Sequence, residues 1–214
     1  MKEYHKIQSI YKRDERGNFL DDQWAMPEFE YLCQNIWEFT EKVDGTNIRV
    51  MFDGKNITFG GKTDNAQIPS LLVTRLNNLF MPIEQRENFK SKFPEGACLY
   101  GEGYGAKIQK GGGNYRPDQD FVLFDVNVGG WWLRREDVEE IASFFGIDVV
   151  PVVKVGTIFE AIVMVKAGFK STWGDFEAEG LVLRPIVPLF TRQGHRVITK
   201  IKHRDFVDHK QKTQ

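Results

Sequence analysis

The chain has 214 residues, of which 41% are hydrophobic and 28% are charged, so it is long enough to bury a sizeable core. The formal net charge of −1 excludes a protein that coats nucleic acid by bulk positive charge, although it leaves room for a local basic groove. No long uncharged apolar run is present and the N-terminal sequence does not resemble a signal peptide, so we expect neither a transmembrane helix nor a secretory leader.

The two cysteines, Cys33 and Cys98, show no metal-ligand spacing, and two thiols in a chain of this length favour a reducing, cytoplasmic setting. Neither an internal repeat nor a low-complexity linker interrupts the sequence. We therefore expect one domain over residues 1–214, with residues 1–35 packed on it as an N-terminal leader and residues 203–214 as a short basic tail.

The regular elements are predicted from apolar periodicity and from the turn residues between apolar runs. The first half of the chain is predicted to contain a strand over 7–11, hairpin strands over 48–52 and 56–59 joined by Asp53-Gly54, and a helix over 70–80 with Ser70 as N-cap. A polar link over 81–94 then leads to strands over 97–100 and 121–128. The second half is predicted to contain a helix over 135–145 closed by Gly146, an extended segment over 149–155, a helix over 158–167 capped by Thr157, and strands over 179–184 and 196–202.

This order of elements lacks the regular strand–helix alternation of a doubly wound sheet. It predicts an α+β fold of antiparallel sheets flanked by helices.

A Gly-rich, basic loop over residues 110–116 invites interpretation as a phosphate cradle, but it lacks the Gly-Lys-Ser/Thr ending of a P-loop. We expect a mobile loop in which Lys107, Lys110 and Arg116 can meet a nucleic-acid backbone.

Charged residues stand at strand ends, where a site built on a sheet needs them. Lys42 precedes a tight Asp-Gly turn, Glu102 follows an apolar strand between glycines, and Glu179 opens another strand. Lys200 and Lys202 flank a single residue on the last predicted strand, so both amines point to the same face. Each residue alone is more often a solvated side chain, whereas the combination indicates a site.

Five short motifs carry these residues: Lys42-Val43-Asp44-Gly45-Thr46-Asn47, Tyr100-Gly101-Glu102-Gly103, Phe121-Val122-Leu123-Phe124-Asp125, Glu179-Gly180-Leu181-Val182 and Lys200-Ile201-Lys202. In this order they resemble the nucleotidyltransferase motifs of the covalent ligase superfamily, and most closely those of the ATP-dependent RNA ligases, including the bacteriophage type that seals nicks in duplex RNA. The resemblance spans residues 36–206. It implies an adenylyltransferase fold. It also implies that the protein is located in the cytoplasm of a bacterium or of a phage-infected cell.

The resemblance implies that Lys42 is a nucleophile that takes AMP from ATP as a lysyl-N-AMP intermediate. A lysine amine with an ordinary pKa of about 10.4 is almost fully protonated at neutral pH. Positive charge from Lys200, Lys202 and a bound Mg²⁺ or Mn²⁺ would favour the neutral amine and stabilise the α-phosphate in the transition state. Glu179 would be a further catalytic residue. Glu179 and Glu102 would both hold the metal through water molecules.

The resemblance also gives this family's nucleotide-contacting positions to particular residues. Glu102 would bind the ribose hydroxyls, Phe124 would stack on the adenine, and Val182 would pack on the other side of the base. The remaining nucleotide-binding positions are Glu41, Val43, Asn47 and Lys62. Asn47 matches a position where RNA ligases carry asparagine and DNA ligases usually carry arginine. Lys62 stands where the family usually has an arginine, so the positive charge is kept but the bidentate hydrogen bonding of a guanidinium is lost.

The sequence thus predicts an ATP-dependent RNA ligase that acts on RNA ends or nicked duplexes, with DNA-containing nicks as a further possibility. A small DNA ligase, a GTP-using capping nucleotidyltransferase and a non-catalytic RNA-end-binding protein remain as alternatives. Relatives commonly carry an OB-fold or another C-terminal domain, and we expect none here because only residues 203–214 follow Lys202. We therefore expect substrate binding to rest on the catalytic domain itself, on self-association or on a partner that replaces the missing domain.

Overall fold

The structure is a computed structural model that describes residues 3–211, with side chains described as far as residue 207. Over this range the chain is a mixture of largely antiparallel sheets and helices, which confirms the predicted α+β fold class. None of the helices in the described range is long and apolar enough to cross a membrane.

The strands, in chain order, are β1 (Gln8–Ser9), β2 (Tyr11–Arg13), β3 (Phe19–Trp24), β4 (Trp37–Glu41), β5 (Thr46–Phe52), β6 (Ile57–Gly60), β7 (Ala97–Gly105), β8 (Gln119–Val128), β9 (Trp131–Trp132), β10 (Asp148–Val149), β11 (Val152–Gly156), β12 (Gly180–Pro185) and β13 (Thr199–Lys202). The helices are α1 (Pro27–Tyr31), α2 (Ser70–Phe80), α3 (Ile83–Lys92), α4 (Arg135–Phe145), α5 (Ile158–Ala167) and α6 (Arg204–Gln211).

The described residues divide into two compact units. Unit 1 comprises residues 3–5 and 44–150, and its sheet has the strand order β10-β8-β7-β5-β6, with β9 paired to β8. Alternating residues of β5 (Ile48, Val50 and Phe52) are buried in an apolar core with α2, α3 and α4. Because successive side chains alternate across a strand, Asn47 and Arg49 lie on the opposite face of this sheet.

Unit 2 comprises residues 6–43 and 151–211, and its main sheet has the order β1-β13-β12-β4-β11. The pairs β13–β12, β12–β4 and β4–β11 are antiparallel, while the short β1 runs parallel to β13. Leu181, Leu183 and Ile201 point into a second apolar core, which α5 and the β2–β3 hairpin help to form. The opposite face of β13 therefore carries Lys200 and Lys202.

Most predicted elements are confirmed. The hairpin at Asp53-Gly54 joins β5 to β6, and the predicted helices coincide with α2, α4 and α5. Thr157 caps α5 by accepting a hydrogen bond from Glu160, and Gly146 ends α4 in the left-handed conformation, with φ of 63°.

Two details of the element prediction are wrong. The segment 81–94 is not a link, because it contains α3. Pro69, rather than Ser70, occupies the N-cap position of α2, and no side chain caps that helix. The basic tail expected over 203–214 contains α6, and residues 212–214 lie outside the described residues.

Candidate active site around Lys42

Lys42 follows the last residue of β4 and is fixed by the neighbouring strand. Its backbone N–H donates to the carbonyl of Gly180 at 2.9 Å, so the β4–β12 pairing continues as far as Lys42. Gly180 has φ of 153°, and a Cβ there would lie 2.0 Å from the carbonyl oxygen of Ile201 on β13. A glycine at this position therefore lets β12 and β13 approach closely enough to bring their ends beside Lys42.

One carboxylate binds two lysine amines at the ends of these strands. The Nζ of Lys42 lies 2.5 Å from Oε2 of Glu179, and the Nζ of Lys202 lies 2.6 Å from Oε1 of the same side chain. The three side chains are largely but not fully buried, with exposed fractions of 20% for Lys42, 16% for Lys202 and 11% for Glu179. The structure thus unites three of the four residues predicted to be catalytic.

The charge state of Glu179 follows from this arrangement. Burial disfavours the carboxylate, but the charge of Lys42 and the hydrogen bonds from Lys202 and Lys42 outweigh that effect and hold the pKa of Glu179 below its usual value. Glu179 is therefore ionised at neutral pH. Because the nitrogen of an ammonium has no free electron pair, Lys42 has to lose a proton before it can act as a nucleophile.

The fourth predicted catalytic residue, Lys200, lies one pleat away on the same face of the sheet. It is paired with Val182 on β12, and Val182 is paired in turn with Thr40 on β4. Lys200 and Val182 are each half-buried. This row of three side chains lies next to the Lys42–Glu179–Lys202 cluster, so both predicted residues are in a position to act beside it.

The carboxylate of Glu41 has protein partners for both oxygens. Oε1 accepts from the hydroxyl of Ser171 at 2.6 Å, and Oε2 accepts from the backbone N–H and the hydroxyl of Thr172, both at 2.8 Å. The residue is only 1% exposed, and Val43 is also buried. Nucleotide binding by Glu41 and Val43 stays a prediction, and for Glu41 the structure shows that its carboxylate anchors the loop before β12.

In unit 1, Asn47 and Glu102 are opposite each other on β5 and β7. Oδ1 of Asn47 is buried and accepts no hydrogen bond from the side chains and backbone that the structure describes. A buried acceptor without a partner is costly, so this atom is a good candidate for a ligand contact. Phe124 is half-buried and meets the ring of Tyr4 edge-on, whereas Lys62 is exposed. The roles of these residues in nucleotide binding stay predictions.

The Gly-rich loop contacts the turn that follows the lysine motif. The backbone N–H of Asp44 donates to the hydroxyl of Tyr115 at 3.1 Å, and Nε2 of Gln109 donates to the carbonyl of Gly45 at 2.9 Å. Arg116, which we expected to be available to a nucleic-acid backbone, instead binds the carboxylates of Asp118 and Asp120. Contact between Arg116 and a nucleic-acid backbone stays a prediction, and such a contact would compete with these two carboxylates for the guanidinium.

Sequence reasoning missed Arg49, which lies on the same face of β5 as Asn47. Its guanidinium is fully buried, donates to the carbonyl of Gly61 at 2.8 Å and lies 2.7 Å from a carboxylate oxygen of Asp64. One of its nitrogens, Nη1, is buried without a partner among the described residues. An arginine within an alternating strand gives no signal in the sequence that distinguishes it from a solvated residue, which is why it was missed.

The carboxylates near Lys42 decide whether a divalent metal fits this site. No group of three His, Cys, Asp or Glu side chains within the described part of the chain is arranged to hold a metal ion. Both oxygens of Glu179 bind lysines, but its lowered pKa keeps it ionised, as contact with a hydrated cation requires. The residues therefore fit a metal held mainly by other ligands and reached by Glu179 through water, and not a cage of protein ligands.

The fold is shared with solved RNA ligase structures. A variant of the Naegleria gruberi RNA ligase with ATP and Mn matches 97% of this chain and 57% of its own, with a TM-score of 0.69 and 18% sequence identity. The same ligase with PPi matches 98% of this chain and 64% of its own, with a TM-score of 0.66 and 18% identity. Another variant with AMP and Mn covers 95% and 62%, with a TM-score of 0.65 and 17% identity. This chain thus spans less than two thirds of the length of these proteins.

The family itself is established by sequence. The RNA ligase family model matches residues 35–202, which include all five motifs and most of the chain. The chain therefore belongs to the RNA ligase family. No curated protein matched it.

Proposed function

We propose that the protein is an ATP-dependent RNA ligase in which Lys42 carries AMP. The observation that supports this most strongly is the cluster of Lys42, Glu179 and Lys202, because it places a nucleophile, a counter-charge and a second cation at the joined ends of three strands in a chain of the RNA ligase family. ATP would be the nucleotide, with Mg²⁺ or Mn²⁺ as the metal.

The first step forms a bond between Nζ of Lys42 and the α-phosphorus of ATP. It breaks the bond between the α-phosphorus and the oxygen that bridges to the β-phosphate, so that pyrophosphate leaves with the electron pair. Lys42 must first lose a proton and leave its ion pair with Glu179. Lys202 and Lys200 then remain as cations that stabilise the negative charge developing on the α-phosphate. A bound metal would add further positive charge at the phosphates.

The second step transfers AMP from Lys42 to a 5′-phosphate, which breaks the phosphorus–nitrogen bond and returns the lysine as an amine. In the third step a 3′-hydroxyl attacks the activated 5′-phosphate, and AMP leaves. Glu102 is proposed to bind the ribose hydroxyls and to reach the metal through water, Phe124 to stack on the adenine, and Asn47 to contact the nucleotide. The buried, unpartnered Oδ1 of Asn47 supports this assignment.

RNA is the proposed substrate, either as free ends or at a nick in a duplex. The test compares three 5′-phosphorylated substrates of equal sequence: nicked RNA duplex, single-stranded RNA and nicked DNA duplex. Joining of the RNA substrates but not of nicked DNA is expected. Joining of nicked DNA alone would favour a DNA ligase, and covalent labelling of the protein by GTP but not ATP would favour a capping nucleotidyltransferase.

A non-catalytic RNA-end-binding protein is the alternative of a different class. It predicts that RNA binds while neither ATP nor GTP labels the protein. The paired arrangement of both lysines on Glu179 favours the enzyme, because binding an RNA end does not require a nucleophile held against a carboxylate.

A further inference from the structure

An open groove of about 730 Å³ lies in unit 2 beside the lysine cluster. The side chains that line it come from the segment around β1 and β2, from the end of β13 and from the start of α6. Backbone hydrogen bonding fixes this arrangement, because β1 pairs with β13 in parallel and the N–H of Ile10 donates to the carbonyl of Lys200 at 3.2 Å. The N-terminal segment thus forms one wall of the groove.

The lining of the groove is strongly basic. It contains six basic side chains and one carboxylate, that of Asp205, so its formal charge is an excess of five positive charges in a chain whose net charge is −1. The basic residues are Lys6, Lys12, Arg13, Lys200, Lys202 and Arg204. A concentration of like charge on one side of a near-neutral chain is unfavourable by itself and is offset when an anion binds.

Only part of this charge is paired. Arg13 binds Asp205 at 2.7 Å and Lys202 binds Glu179 at 2.6 Å. Lys6, Lys12 and Arg204 form no ion pair with any side chain in the described range, and all three are exposed. These three side chains are therefore available to a ligand without the loss of an existing contact.

The groove is continuous with the proposed site of chemistry. Lys202 lines the groove and also binds Oε1 of Glu179, whose other oxygen binds the Nζ of Lys42. A polyanion in the groove would therefore run towards the reactive amine. The single aromatic residue in the lining, Tyr11, is buried, so the groove offers no exposed ring on which a base can stack.

From this geometry we infer that the groove binds the phosphodiester backbone of the RNA strand that is being joined, through Lys6, Lys12 and Arg204. The inference rests on the proposed function and adds the place where its substrate is held. Because the contacts are to phosphates and not to bases, binding is expected to be independent of sequence and strongly dependent on salt.

The test measures the affinity of the intact protein for a 5′-phosphorylated nicked RNA duplex by fluorescence anisotropy, without ATP, between 50 mM and 500 mM NaCl. The test variant is K6A/K12A. The matched control is K55A/K90A, which removes two exposed lysines of unit 1 and the same charge. Thermal melting of both variants shows whether each is folded.

Each phosphate contact contributes about 0.9 to the slope of log affinity against log salt for a duplex. K6A/K12A is therefore expected to reduce the slope by about two and to lower the affinity at 50 mM salt on the order of 100-fold, equally for RNAs of different sequence. The control variant should bind like the wild type. A slope unchanged in K6A/K12A, an equal loss in the control, or no salt-dependent binding by the wild type would each overturn the inference.

A second measurement distinguishes RNA from the phosphates of ATP as the occupant. Covalent labelling of the protein by α-labelled ATP is followed for the same variants in the absence of RNA. Labelling by K6A/K12A at the wild-type rate, together with weakened RNA binding, supports the inference. A raised ATP requirement with unchanged RNA binding would assign the groove to the nucleotide instead. Failure of the wild type to be labelled at all would contradict the proposed function, but it would leave the RNA-binding result to be judged by itself.

Discussion

Removal of the Glu41 carboxylate tests how Lys42 is positioned. Glu41 immediately precedes Lys42, and its buried carboxylate accepts three hydrogen bonds from Ser171 and Thr172. Hydrogen bonds to a charged group contribute about 1.5–3 kcal/mol each, but burial of the carboxylate offsets part of that gain. For Glu41→Ala we therefore expect a net loss of about 3 kcal/mol in the free energy of unfolding, or about 6–12 °C in Tm for a chain of this size.

Glu41→Gln separates charge from shape. The amide keeps one acceptor oxygen for Thr172 and the same volume, so we expect a smaller loss of about 1–1.5 kcal/mol. Glu15→Ala is the matched control, because Glu15 is an exposed glutamate of the same unit, and its removal should change stability by less than about 0.5 kcal/mol. Urea unfolding of the four proteins, followed by tryptophan fluorescence, gives the free energies.

The extent of covalent labelling by ATP should decrease from Glu41→Gln to Glu41→Ala, in parallel with the loss of stability. For Glu41→Ala the labelling should recover in part at lower temperature, because the substitution weakens the structure that positions Lys42. A Glu41→Ala variant that unfolds at the wild-type urea concentration, yet shows a weaker affinity for ATP, would refute this reasoning. The carboxylate would then act on the nucleotide and not on the loop.

Contacts of Glu179, Gly101 and Tyr115 each give an outcome that can be measured. The pKa of Glu179 lies below its usual value, so the stability that its ion pairs contribute is present above about pH 4.5 and is lost as the pH falls through the lowered pKa. In urea unfolding, the difference in the free energy of unfolding between wild type and Glu179→Gln should therefore be constant from pH 7 to 5 and shrink below pH 4. A Cβ on Gly101 would lie 2.3 Å from the ring of Phe121, so Gly101→Ala should cost about 1–3 kcal/mol in thermal unfolding, whereas Gly113→Ala, with no neighbour within 4 Å, should cost almost nothing. Tyr115→Phe removes the hydroxyl that accepts from the turn after Lys42 and should slow covalent labelling by ATP without a large change in Tm; an unchanged rate would mean that the Gly-rich loop does not support the turn.

The parts of the site that lie on strands were predictable from the sequence. Alternation of side chains is fixed along a strand, so Lys200 and Lys202 had to share a face, and Glu179 had to stand at the end of an apolar strand. Antiparallel pairing then brought Glu179 and Lys202 together with Lys42. The hairpin after Lys42 was predictable for the same reason, since Asp53-Gly54 favours one type of turn.

The features that the sequence did not reveal depend on contacts between distant segments. The partners of Glu41 are 130 and 131 positions away, and Tyr115 is 71 positions from the backbone group that it contacts. Helix α3 was missed because Phe89 is its only fully buried side chain, which is too little for a helical period to be visible. The basic groove was missed because Lys6 and Lys12 flank a predicted strand, and only the pairing of β1 with β13 brings them beside Lys200 and Lys202.

Mapping of the covalent AMP adduct shows whether Lys42 is the nucleophile. The protein is incubated with ATP and Mg²⁺, digested, and analysed by mass spectrometry under conditions that preserve an acid-labile phosphorus–nitrogen bond. We expect one AMP on the peptide that contains Lys42, no adduct on Lys200 or Lys202, and no adduct anywhere in Lys42→Ala. AMP on a different residue, or an unmodified wild-type protein that still joins RNA ends, would contradict the role of Lys42 as nucleophile.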